Sequence, residues 1–134
     1  MKIPVLDNTV LAPTIEEYGV GDANLVNQIK TSQKASQSPT ELYKRHLYAL
    51  SLKYGLDYKL LESIIHCESS WNSEAIGDSG LAFGLAQFHK LTFDGHCIGE
   101  YKNPFDQLNC FAKMMSEGKE KHWTCFRYLT RIEY

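Results

Sequence analysis

The sequence predicts a mainly helical (α+β) domain over residues 39–134, with a short irregular or β insertion, preceded by a flexible arm and polar linker over residues 1–38. Three observations carry this expectation. Apolar residues recur at helical spacing in several segments after Ser38. A stretch rich in Asn, Ser, Gly and Asp interrupts them, as loops and tight turns require. Residues 1–40 differ in kind, with no Phe, Trp, His or Cys. The 134 residues suffice for one compact domain, and 43% hydrophobic against 22% charged is an ordinary globular mixture.

Residues 1–30 read as a weakly structured arm whose Ile3, Val5, Leu6, Val10, Leu11 and Ile15 offer a surface for a protein partner or for the domain itself. The polar run Thr31 to Ser38 reads as a linker. The domain then starts sharply. Ser38-Pro39-Thr40-Glu41 is a capping-box pattern with proline at the first helical position, where its missing N–H costs nothing. Tyr43, Leu47, Leu50 and Tyr54 continue one apolar face, and Gly55 suits a left-handed C-terminal cap.

Asp57 is the expected N-cap of a second helix, Tyr58 to about Ser69. Its Leu61, Ile64, Ile65 and Glu68 fall at i, i+3, i+4 and i+7, so a carboxylate ends a core-facing stripe. Trp71 to Gly84 is expected to form loops with a short hairpin, and Leu85 to about Leu91 a brief helix. Asn103-Pro104-Phe105-Asp106 repeats the capping logic, and Leu108, Phe111, Ala112 and Met115 mark a further helix ending near Gly118. A last short helix is expected over Lys121 to Leu129.

Cys67, Cys97, Cys110 and Cys125 are even in number and suggest disulfides, with three pairings open. There is no CxxC. His66-Cys67, His96-Cys97 and His122 with Cys125 offer ligand chemistry only from separate segments without a standard spacing, so no metal is expected. The net charge of -2 lacks the basic face that nucleic acid binding uses. No apolar stretch approaches the length that spans a bilayer, so membrane insertion is not expected, and residues 1–8 carry no seven-residue apolar segment of a secretory signal. Lys113, Lys119, Lys121, Arg127 and Arg131 read as a solvated surface, interleaved with Glu117, Glu120 and Glu133.

Glu68 is the main chemical candidate. A carboxyl at the end of an apolar face is partly desolvated, which disfavours its charged form. Glycosidic cleavage needs such a protonated group to donate to the departing oxygen. Trp71, Phe83, Tyr101 and Trp123 are the aromatic candidates for sugar stacking, although most rings in a small domain belong to the core.

The ordered set Glu68-Ser69-Ser70-Trp71-Asn72, then Gly84-Leu85-Ala86-Gln87, then Asn103-Pro104-Phe105-Asp106-Gln107-Leu108 resembles the soluble lytic transglycosylases of the lysozyme-like superfamily. The segment Gly77 to Gln87 resembles the corresponding loop of goose-type lysozymes. The resemblance covers about residues 41–128 and implies a lysozyme-like catalytic domain. It implies that Glu68 is the general acid, that Asp78 orients a water, that Ser69 positions the sugar or Glu68, and that Gln87 lines the substrate groove. His89, two residues past Gln87, and the rings of Trp71 and Tyr101 complete the expected contacts. Ser73 stands where the family has Pro, Ala86 where it has Met, and His89 where goose-type lysozymes have a further Asp; the Tyr-Asn-Ala-Gly segment of many lytic transglycosylases is replaced near Trp123 to Phe126.

The implied substrate is the glycan strand of peptidoglycan, cut at the β-1,4 bond between N-acetylmuramic acid and N-acetylglucosamine by hydrolysis or with 1,6-anhydro formation, without a cofactor. The rival expectation is a non-catalytic peptidoglycan-binding or assembly domain. Either acts in the periplasm or cell wall, reached from a virion, by lysis or through a secretion apparatus.

Overall fold

The computed structural model describes residues 37–132, so the expected arm and linker lie, but for Gln37 and Ser38, outside the described residues. Five α-helices and a small sheet follow in order: α1 (Pro39–Tyr54), α2 (Tyr58–Ser69), β1 (Ile76–Gly77), β2 (Ala82–Phe83), β3 (Phe88–His89), α3 (Lys90–His96), α4 (Pro104–Ser116) and α5 (Thr124–Ile132). Short 3-10 turns at Asp78–Gly80 and Glu120–His122 join β1 to β2 and precede α5. The domain is mainly helical with a small antiparallel sheet, the α+β lysozyme-like class that the sequence predicts.

Local chemistry explains the helix ends. Gly55 takes φ +68°, and the N–H of Leu56 donates to Ser51 O at 2.8 Å, closing α1. The Asp57 carboxylate accepts from Lys59 N at 3.0 Å and starts α2. The Asn103 side chain accepts from the N–H groups of Phe105 and Asp106, with Pro104 beginning α4. These caps satisfy donors that the first helical turn leaves without partners.

The core lies where α1, α2 and α4 meet. Leu47, Leu61, Ile64, Ile65, Leu108, Phe111 and Met114 are all fully buried there. Each such side chain stabilises the fold by about 1.5–3 kcal/mol relative to exposure. Helix α1 packs on α4 and α2, and α2 also packs on α5. Cys67 is bonded to Cys125 and Cys97 to Cys110, which selects one of the three open pairings. The first ties α2 to α5; the second ties the end of α3 to α4.

Two expectations are corrected. The helix expected over Leu85 to Leu91 begins instead at Lys90. Leu85 and Ala86 are buried in a tight turn, Gln87 turns left-handed at φ +53°, and Phe88 pairs with Phe83 as a strand. Apolar residues in sequence thus serve a buried turn and strand, not a helical face. The last helix starts at Thr124, because Trp123 takes an extended backbone that sends its ring into the core.

Candidate active site

Glu68 is placed by the stripe that precedes it. Leu61, Ile64 and Ile65 anchor α2 in the core, and the next position on that face brings the carboxyl to the helix end half-buried. Its Oε2 accepts from the backbone N–H of Cys125 at 3.4 Å. Burial pushes the carboxyl above its ordinary value, and the Cys125 N–H opposes this more weakly. Cys125 is the second residue of α5, so its N–H has no acceptor within that helix and lies at the helix's positive end.

The chain leaves α2 through an unusual path. Ser70 and Trp71 both have left-handed backbones, at φ +51° and +65°. Such a conformation disfavours a bulky side chain by about 1–2 kcal/mol. Burial of the Trp71 ring, at 6% exposure, and the Trp71 N–H bond to Ser69 Oγ hold it. Ser69 Oγ also donates to Ile65 O, so its one donor is used at the helix end and a lone pair stays open. Lys44 Nζ lies over the Trp71 ring at 5.5 Å, and the ring belongs to the core.

The sheet presents a second group. Gly77 pairs with Ala82 and Ala82 with His89, so the residue after Gly77 emerges beside His89. Asp78 Oδ2 and His89 Nε2 meet there at 2.7 Å, both well exposed. Asp78 and Ser79 have positive φ, the turn that Gly77-Asp78-Ser79-Gly80 favours. Among the described residues no hydrogen bond or ion pair joins Asp78 to Glu68.

Gln87 braces the hairpin. Its Nε2 donates to Ala75 O and Gly84 O, which leaves Oε1 as its remaining polar atom. Beside the sheet, a cavity of about 600 Å³ is lined by residues that include Leu81, Phe83, His89, Tyr101 and Lys102. The Phe83 and Tyr101 rings are 5.8 Å apart, and the Tyr101 hydroxyl is fixed by donating to Phe88 O. An aromatic wall with adjacent polar groups is the arrangement that sugar rings stack on. Trp123 belongs to the core, with its Nε1–H donating to Ala86 O at 2.9 Å.

Sequence reasoning missed Gln107. It is buried, its Oε1 accepts from Ala86 N, and its Nε2 donates to Phe83 O and Tyr101 O. One side chain thereby joins α4, the sheet, the Gly84–Gln87 turn and the Tyr101 loop. Gly84, at φ +89°, leaves no room for a Cβ, which would stand 2.6 Å from the Gln107 amide. The signal was present: an amide at a core position of the α4 stripe. The Cys125 contact was also missed, since nothing local connects positions 57 residues apart. Among the described residues no cluster of three or more His, Cys, Asp or Glu side chains is arranged to hold a metal, and no helix is long and apolar enough to cross a membrane.

A mainly helical fold with a short three-stranded antiparallel sheet defines a lysozyme-like domain. Residues 47–122 match the model of the transglycosylase SLT domain, and the chain belongs to that family. Its members are in general lytic transglycosylases acting on peptidoglycan. No curated protein and no solved structure matches the chain significantly. Helix α5, with Cys125, lies beyond the matched residues.

Proposed function

We propose that this domain cleaves the β-1,4 bond between N-acetylmuramic acid and N-acetylglucosamine in peptidoglycan, with Glu68 as the general acid and a 1,6-anhydro sugar as product. The observation that carries the proposal is the state of Glu68: half-buried, pushed toward its protonated form, with a single helix N-terminal N–H on its carboxylate.

Protonated Glu68 donates to the glycosidic oxygen, and the C1–O bond breaks as positive charge develops at C1. The carboxylate left behind is stabilised by the Cys125 N–H and the positive end of α5. It then takes the proton of the muramic acid 6-hydroxyl as that oxygen bonds to C1. One carboxyl serves both steps and is returned protonated. No water, metal or organic cofactor enters the balance. Phe83 and Tyr101 supply stacking surface, and Gln87 Oε1 with His89 the polar contacts.

Hydrolysis is the second reading, and the Asp78–His89 pair is what favours it. A carboxylate hydrogen-bonded to an imidazole is able to orient and deprotonate a water on the opposite sugar face. The two differ by one water in product mass. Purified peptidoglycan digested by the wild type is expected to yield muropeptides one water lighter than ordinary reducing-end products, and Glu68→Gln to yield none. Ordinary products that disappear in Asp78→Asn would establish hydrolysis. A folded wild type that releases nothing from a wall cut by a control enzyme would establish a binding module. The paired cysteines further support action outside the reducing cytosol, in the periplasm or cell wall.

A further inference from the structure

We propose that Trp123 is a positioning residue for this reaction: its indole fixes the first turn of α5, and with it the Cys125 N–H, against the Glu68 carboxyl. The inference rests on the reading of Glu68 as the general acid.

The start of α5 is unusual. Trp123 precedes the helix with an extended backbone, φ -101° and ψ 117°, and its carbonyl accepts from Phe126 N at 3.0 Å and Arg127 N at 3.4 Å. It stands where Ser, Thr, Asp or Asn ordinarily caps a helix by accepting from an N–H of the first turn. An indole carries a donor and no acceptor, so Trp123 cannot cap its own helix in that way. The Cys125 N–H is thereby left to a carboxylate from another helix, and Glu68 Oε2 takes it. The acid of α2 serves as the cap of α5.

That contact needs more than the disulfide to hold it. At 3.4 Å it is longer than the usual N–H···O range of about 2.7–3.2 Å, so a small displacement of α5 decides whether it is made. A disulfide tolerates Cα separations of about 4.4–6.8 Å, which is too permissive to aim a backbone N–H. Trp123 supplies the second tie. Its ring is buried and meets Phe88 and Phe111 edge-on, at centroid distances of 5.6 and 4.9 Å, and its Nε1–H donates to Ala86 O at 2.9 Å. The acceptor is itself fixed, because Ala86 is fully buried and its N–H donates to Gln107 Oε1 at 3.0 Å. The turn that contains Cys125 is closed by the bonds onto Trp123 O, so the Cys125 N–H follows wherever Trp123 sits. The ring secures burial, and the indole N–H sets the register of α5 against the Gly84–Gln87 turn.

The test uses the full chain and the conservative variant Trp123→Phe, which keeps an aromatic ring and removes the donor. Leu47→Ala, in the core between α1 and α4, is the control for destabilisation alone. The Glu68 carboxyl is titrated by carbon NMR in each protein. The Cys125 N–H opposes the upward push of burial, so weakening it in Trp123→Phe is expected to move the Glu68 titration further up, while Leu47→Ala leaves it in place. On soluble glycan strands, kcat of Trp123→Phe is expected to fall about tenfold or more, with KM less affected. An unmoved titration in folded Trp123→Phe, or an equal shift in Leu47→Ala, would overturn the proposal. If Trp123→Phe does not fold, amide exchange in the wild type decides: comparable protection of the Trp123 indole and Cys125 amide is expected, and an unprotected Cys125 amide beside a protected indole would overturn it. A Glu68 titration that shifts in Trp123→Phe, in a chain that cuts no glycan, would support the positioning and overturn the glycosidase reading.

Discussion

Cys125 holds Glu68 twice: its backbone N–H donates to the Glu68 carboxylate, and its sulfur is bonded to Cys67, the residue before Glu68. The cross-link and the hydrogen bond therefore join the same two helix ends. Without the disulfide, α5 is a nine-residue helix, short for independent stability. The geometry gives that disulfide a positioning role that the Cys97–Cys110 bridge, between α3 and α4, does not share.

Removing the two bridges is accordingly expected to have different consequences. The Cys67–Cys125 bridge closes 58 residues and the Cys97–Cys110 bridge 13. Chain-entropy arguments give losses of about 4 and about 3 kcal/mol. Stabilities of the two double Cys→Ser variants, measured in urea, are thus expected to be similar. Their activities at a temperature where both remain folded are expected to diverge, with a marked loss only for Cys67→Ser/Cys125→Ser. Equal activity losses would show that the bridge near Glu68 acts only on stability.

The pH dependence follows from the direction of the Glu68 shift. Because burial raises its proton affinity in the folded state, the folded chain holds this proton at pH values where the unfolded chain has released it. Stability therefore falls as pH rises from the unfolded carboxylate value through the folded one, and remains lower above it. Glu68→Gln does not titrate, so its stability relative to the wild type is expected to increase across that window, as denaturation at several pH values would read. Activity is expected to fall on the basic side of an elevated carboxylate titration, and Glu68→Gln to lose about 10²–10⁴-fold or more. A stability difference independent of pH would contradict the shifted carboxyl.

Which parts of this were readable from sequence depends on range. The caps at Asp57 and Asn103, the stop at Gly55 and the apolar stripe ending in Glu68 rest on chemistry within a few residues, and all stand in the structure. The start of α3 was misplaced because Leu85, Ala86 and Phe88 look alike whether they fill a helix face or a buried turn and strand. The Asp78–His89 pair depends on strand register, which no local pattern in two-residue strands specifies. Cys125 was legible as a disulfide partner and illegible as a hydrogen-bond donor, since every residue carries an N–H.

Asp78 separates the two product chemistries and does so with little structural cost. Its bond to His89 is well exposed, and such surface pairs contribute about 0–1 kcal/mol. Asp78→Asn is expected to fold normally and, under the anhydro mechanism, to keep its product mass. Its rate is expected to fall by less than the 10²–10⁴-fold associated with loss of a general acid or base. Loss on the scale of Glu68→Gln, with wild-type products of ordinary mass, would instead make Asp78 the base.

Gln107 supplies the strongest prediction about stability. Its amide closes three hydrogen bonds, to Ala86 N, Phe83 O and Tyr101 O, in a place that is sealed from solvent. Gln107→Leu keeps comparable volume but leaves those backbone groups unpaired, at about 1–3 kcal/mol for each that water does not reach. A loss of about 3 kcal/mol in urea denaturation is expected, large beside the 5–15 kcal/mol of a typical domain. Gln107→Glu is expected to retain acceptance from Ala86 N while losing both donated bonds, since an ionised carboxylate only accepts. Because the amide also fixes the Gly84–Gln87 turn against the Tyr101 loop, weaker glycan cleavage should accompany the stability loss. Gly84→Ala attacks the same junction from the other side, forcing a Cβ against the Gln107 amide at a left-handed backbone position. The Gln107→Leu/Gly84→Ala double variant is therefore expected to be less destabilised than the sum of its parts, measured as a double-mutant cycle.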